Sequence, residues 1–343
     1  MRPATFQTRL TELLNIRHPI LCGGLGPGVS DARYVAAVVR AGGMGFLVHT
    51  GFEEPDTFSS QMALCRELTD GMPFGVNLYI GRAPGSVERI LSFIPEMVAN
   101  NVSCVETAGQ NPGPIIPALK EAGIRVIHKV PGVRYAHTAQ RLGVDAVTVI
   151  GNECGGHPGV HQIGTMVHAA QAPMEIDIPV VIGGGIGTGR QLAAVLAMGC
   201  EGVIMGTRMM VAKEMWVSEG YKTQLIAADG SESTVIKRVF RDNHRVLANE
   251  TTKDVLALEA AGVTEFEAYR DLVSGTHTRA GYKSGDLSRG SYDWGHSAIF
   301  ADAIEPVEAI FDRMIDDAVA ASQRLHHLTS ESIGLPLVSN IHV

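Results

Sequence analysis

The chain predicts an α/β fold: a (β/α)8 TIM barrel with a second, mainly helical domain inserted after strand eight. Three observations carry that prediction. Eight short, β-branched segments alternate with helical stretches over about the first 212 residues; short turns join them; and the last two strands both end in glycine, at Gly183–Gly189 and at Gly206. Buried strands linked by helices pair in parallel, and a count of eight favours closure over an open sheet.

Taken in order, His18-Pro-Ile-Leu-Cys-Gly-Gly24 reads as the first strand with its glycine turn. Ser30 or Asp31 then caps a helix through Arg40. Met44 to Val48 is strand two, a helix runs from Thr57 to Leu68, and Phe74 to Asn77 is strand three. A helix from Val87 to Asn100 is expected to break or kink at Pro95. Cys104 to Thr107 is strand four, followed by a helix to Ala122 and by strand five, Arg125 to Val130. A helix from Val133 to Leu142 precedes strand six, Ala146 to Ile150. Val180 to Ile182 and Gly202 to Met205 are strands seven and eight, joined by a helix over Gln191 to Met198.

Beyond Ala212 charges become dense (Lys237, Arg238, Arg241, Asp242, Arg245), and the segment to Asp271 reads as helices. The Gly275 to Trp294 stretch is polar and glycine-rich, without clear periodicity. The expected division is a barrel from residues 1–212 and 296–343 with a helical substrate or lid domain at 213–295. Two amphipathic helices, Ala298 to Ile304 and Pro306 to His326, should return to the barrel wall.

A net charge of −8 without a basic stripe argues against nucleic acid as a partner. No segment reaches the ~18 apolar residues of a membrane span, and the first residues lack the apolar core of a signal peptide. A cytoplasmic protein is expected, with no membrane partner. The five cysteines are dispersed, which predicts reduced thiols and no metal site.

The chemistry should sit at the C-terminal ends of the strands. The glycine turns after strands seven and eight, with Thr188 and Thr207, offer backbone N–H groups and hydroxyls to an anion. In a barrel of this kind those turns form a phosphate site. The loop after strand six, Gly151 to Gly159, has four glycines in nine residues and carries His157, a candidate general base. Lys129 suits an electron-rich ring or, equally, a salt bridge within the barrel mouth. Asn77 can donate and accept at a ring edge or simply form a turn. Glu106 reads as structural, nothing fixes its distance from Glu153, and His49 is expected to be exposed.

Seven segments resemble the FMN-dependent nitronate monooxygenase family. They are His18-Pro-Ile-Leu-Cys-Gly-Gly24, Pro73-Phe-Gly-Val-Asn-Leu78, Val105-Glu-Thr-Ala-Gly109, Val126-Ile-His-Lys129, Glu153-Cys-Gly-Gly-His-Pro-Gly159, Gly183-Gly-Gly-Ile-Gly-Thr-Gly-Arg190 and Met205-Gly-Thr-Arg208. The superfamily includes NADH:quinone reductases and flavin-dependent enoyl reductases. The resemblance implies FMN, its phosphate held by Gly184, Gly185, Gly206 and Thr207. Asn77, Lys129, Gly155 and Gly156 would lie along the flavin, Gly23, Gly24 and Gly183 would complete the cofactor set, and His157 would be the catalytic residue. It implies a small-molecule substrate, with oxidation of alkyl nitronates by O2 ranked first. NAD(P)H-dependent quinone reduction, enoyl reduction and a flavin-binding regulatory barrel without turnover are the alternatives. NAD(P)H as electron donor and a homodimer are possibilities left open. The chain departs from the family pattern at Cys22, Ile150, Gly183 and Ala301.

Overall fold

A computed structural model describes residues 3–52 and 57–333. Eight parallel strands close into a barrel in sequence order: β1 Ile20–Cys22, β2 Met44–Val48, β3 Phe74–Ile80, β4 Val102–Gly109, β5 Arg125–Val130, β6 Ala146–Ile150, β7 Val180–Gly183 and β8 Gly202–Met205. Closure is made by β8 pairing with β1, Leu21 opposite Ile204.

The pleat sorts the strand residues by parity. Leu21, Met44, Phe46, Cys104, Ile127, Ala146, Val181 and Ile204 form the barrel interior with Leu10 and Leu14 from the helix Arg9–Leu14. The alternate residues, among them Ile20, Leu47, Val105, Val126, Val147, Ile182 and Val203, join the outer core beneath the helices. Gly75 shares the inward parity, and a Cβ there would lie 2.5 Å from the Phe46 ring. The aromatic ring takes the volume that a larger residue at 75 would need.

The helix expected over residues 87–100 is two helices, Ser86–Ser92 and Ile94–Ala99, with Pro95 in the first turn of the second. That position tolerates proline because its missing N–H has no intrahelical partner. The helix after β7 spans Gly189–Ala197, and Thr188 caps it in a reciprocal box with Gln191. The last helix runs unbroken over Val307–Ile333, whereas His296–Phe300 is a 3-10 turn and not part of a regular helix. A Cβ on Gly189 would fall 1.9 Å from the Met314 carbonyl, so this glycine lets the last helix cross closely.

The segment after β8 differs from expectation. It contains the helices Glu219–Ile226, Glu250–Ala260 and Gly275–Ser284, but also an antiparallel hairpin, β9 Ser233–Ile236 with β10 His244–Leu247. Lys237, Arg238, Arg241 and Asp242 sit in the turn, where Lys237 and Arg241 take left-handed φ of 61° and 52°, while Arg245 lies on β10. Ile236 and Val246 are buried with Val255 and Tyr269 in a small core. β-branched residues on the two arms favour strands over the helix that the charge density suggests. Among the described residues no helix is long and apolar enough to cross a membrane.

Candidate active site

The inward parity that fills the barrel with apolar side chains continues upward as Asn77, Glu106 and Lys129. Glu106 is fully buried, and it organises the mouth. Its Oε2 accepts from Asn77 Nδ2 at 2.5 Å and from the Gly24 N–H at 3.2 Å, while its Oε1 pairs with Lys129 Nζ at 3.1 Å. One carboxylate therefore fixes an amide, a backbone turn and an ammonium group from three strands. A Cβ on Gly24 would lie 2.3 Å from Asn77 Cβ, so the turn after β1 packs directly on that amide.

Glu106, read from the sequence as structural, shares its inward parity with Asn77 and Lys129. Lys129 forms the mouth salt bridge considered above. Glu153 is unrelated to Glu106: it accepts from the Thr165 N–H and hydroxyl at the start of helix Thr165–Glu175. His49 is buried, not exposed. Its ring meets Phe58 and Phe93 edge-on, and its Nδ1 lies 3.1 Å from the Asn77 carbonyl oxygen. Burial pushes its pKa below the ordinary histidine value.

The two glycine turns lie side by side because β7 and β8 pair, Gly183 opposite Ile204. Gly184 and Gly185 have φ of 104° and 70°, a region that glycine enters without steric cost. Among the described residues, none accepts a hydrogen bond from the backbone N–H of Gly184, Gly185, Gly206 or Thr207. Thr207 Oγ1 accepts from the Gly295 N–H at 3.0 Å, leaving its own hydrogen to be donated. Thr188, by contrast, spends its hydroxyl on Gln191 at 3.2 Å and serves its helix. Gly183 answers to packing, since a Cβ there would sit 2.4 Å from Ile204. Gly23 is similarly confined by Ile204 at 3.0 Å and Glu106 at 3.4 Å. Orphan amides on two adjacent turns, one hydroxyl and no carboxylate among their hydrogen-bond partners fit a bound phosphate.

The loop after β6 is held from above. Gly156 and Arg245 exchange backbone hydrogen bonds at 3.0 and 2.6 Å, which joins this loop to β10. A Cβ on Gly155 would meet Gly295 N at 2.7 Å and Trp294 N at 2.8 Å, so one side of this glycine is taken by the returning chain. His157 is half exposed beside this clamp and stacks on His244. Lys237 Nζ lies 3.4 Å from its Nε2, and Asp242 Oδ1 lies 3.8 Å away. Desolvation at the crowded mouth, then His244 and Lys237, push its pKa down to about 4. At neutral pH the imidazole is uncharged and able to accept a proton. His244 and Asp293, which complete this cluster, lie too far along the chain for any sequence pattern to join them to His157.

The profile of the nitronate monooxygenase family matches residues 7–317. The chain is 36% identical over 259 residues to a (3aS,4S,5R,7aS)-5-hydroxy-7a-methyl-1-oxo-octahydro-1H-indene-4-carboxyl-CoA dehydrogenase of Rhodococcus jostii, covering 76% of this chain and 70% of that one. It is 31% identical over 283 residues to a probable nitronate monooxygenase of Staphylococcus saprophyticus, covering 71% of this chain and 79% of the other. FabK from Thermotoga maritima superposes with a TM-score of 0.84 at 31% identity, over 94% of this chain and 100% of that one. With the barrel, the glycine turns and the mouth histidine in place, the chain belongs to the nitronate monooxygenase family of oxidoreductases.

Proposed function

We propose that this protein is an FMN-dependent oxidoreductase that oxidises alkyl nitronates with O2. The carrying observation is the pair of glycine turns whose amides have no acceptor among the described residues, set on the same barrel rim as the Asn77, Gly24 and Lys129 groups that Glu106 holds. Gly184, Gly185, Gly206 and Thr207 would hold the phosphate. Asn77 and Lys129, with Gly23, Gly24, Gly155, Gly156 and Gly183, would line the ring. Bound FMN supplies the electron acceptor, and O2 completes the oxidation.

The chain's own residues supply placement and charge. Lys129, held at 3.1 Å from Glu106, keeps a cation at a fixed depth below the ring. An anionic substrate needs little proton abstraction, so His157 orients it and holds a proton when one is released. Lys237 lies beside His157, with Asp242 paired to it at 2.6 Å.

A second reading rests on the Rhodococcus relative, whose 36% identity exceeds that of the nitronate monooxygenase: oxidation or reduction of a CoA thioester. Anaerobic mixing of the flavin-loaded protein with an alkyl nitronate, an acyl-CoA, NADH and NADPH separates the readings. Bleaching by the nitronate alone supports the first, and bleaching by acyl-CoA or a pyridine nucleotide alone replaces it. His157→Ala should retain FMN and lose most turnover; unchanged turnover would remove His157 from the chemistry.

A further inference from the structure

His157 and His244 are brought together by backbone register. The Gly156–Arg245 bridge is antiparallel, so the next residue on one arm faces the preceding residue on the other. The two imidazoles stack with centroids 4.4 Å apart and planes 11° from parallel. His244 Nε2 lies 2.7 Å from Asp293 Oδ1, and Asp293 is itself bridged to Val246 on β10. Among the described residues, the charged groups that act on His157 besides His244 are Lys237, Asp242 and Asp293. Lys237 and Asp242 sit in the hairpin turn, paired with each other at 2.6 Å, and Asp293 lies on the returning strand. Lys129 from β5 acts on Asp293 from below.

Two cationic imidazoles at this separation repel, whereas a neutral ring against a cationic one does not. Asp293 accepts from only one of them. We propose that the stacked rings share at most one excess proton at neutral pH, and that Asp293, held on His244 Nε2, leaves His157 to meet its substrate as a neutral acceptor. His244 and Asp293 are then positioning residues that act through His157. This rests on the reading of His157 as the substrate-facing histidine, but the pairing itself needs no substrate. The depressed basicity of His157 has the direction the pair requires, with burial and then His244 as its causes.

The test is ring 15N NMR titration of the full-length protein labelled in histidine. In the wild type the His157 midpoint should lie more than about one pH unit below the ordinary histidine value near 6.5. His244→Phe keeps a flat ring and removes the shared proton, and it should raise the His157 midpoint by about one pH unit or more. A His157 midpoint that moves by less than about 0.3 units in His244→Phe, or a wild-type His157 midpoint near 6.5, would overturn the pairing. Should His244→Phe fail to fold, the wild-type His157 midpoint decides: one near 6.5 overturns the pairing, and one more than about one pH unit lower supports it. If the midpoints couple as described while neither nitronate nor acyl-CoA bleaches the flavin, the pairing stands and the substrate reading falls.

Discussion

Replacing Glu106 with glutamine tests whether one buried carboxylate organises the mouth. The carboxylate accepts two hydrogen bonds on Oε2, from Asn77 Nδ2 and the Gly24 N–H, and its Oε1 is paired in charge with Lys129 Nζ. A glutamine offers one acceptor oxygen and one donor NH2, so either Lys129 or the Asn77–Gly24 pair meets a donor. At 3.1 Å and an effective dielectric of about 20, the attraction lost from Lys129 is about 5 kcal/mol. Lys129 keeps 26% of its side chain exposed, and hydration of the freed ammonium offsets part of that loss. Breaking a buried pair from one side costs about 3–5 kcal/mol, so about 2–4 kcal/mol is expected here. Urea unfolding of the apoprotein, compared at a constant m-value, measures it. The double variant Glu106→Gln with Lys129→Met should recover at least about 1 kcal/mol of coupling. FMN affinity should fall in parallel, since Asn77 and Lys129 lose their anchor. A loss below about 0.5 kcal/mol with no coupling would refute the central role given to Glu106.

Three further outcomes follow from particular contacts. Gly206→Ala meets only Leu25 Cδ2, at 3.5 Å, so apoprotein Tm should hold within a few degrees while FMN binding weakens about tenfold or more, read by flavin fluorescence. Gly189→Ala places its Cβ 1.9 Å from the Met314 carbonyl and should cost at least about 2 kcal/mol in denaturant unfolding, without a selective effect on flavin. His128 is buried with Nδ1 2.8 Å from Thr107 Oγ1, and desolvation pushes it down to about 4. Its folded pKa lies below the unfolded value near 6.5, so stability is lost as pH falls from about 6.5 to about 4, by about 3 kcal/mol from this residue. The wild type minus His128→Gln difference in unfolding free energy across that range reads it, and a pH-independent difference would count against a neutral His128.

Much of the barrel is legible in the chain because its signals are local. Alternation along each strand encodes which side chains fill the interior, and turn residues and caps such as Thr188 with Gln191 mark the ends of helices. The strand positions expected for β2, β5, β6 and β8 match those observed, since each is a short apolar run bounded by glycine or charge. The glycine turns that fit a phosphate were readable for the same reason. Glu106 was readable in part: its inward parity is local, but its three partners come from β1, β3 and β5.

Other features depended on contacts between distant segments. The hairpin Ser233–Leu247 forms where charge density alone suggested helix, because two β-branched arms bury Ile236 and Val246 against Val255 and Tyr269. Gly189 looks like part of a phosphate turn, yet its missing side chain makes room for the Met314 carbonyl of the final helix. His49 sits at a strand end that invites exposure, and Phe58 with Phe93 covers it. The stack of His157 on His244 arises from a backbone bridge between residues 156 and 245, with Asp293 arriving from a third segment. A residue's parity, turn and cap follow from its neighbours in sequence, whereas its charge state follows from whatever the closed fold packs against it.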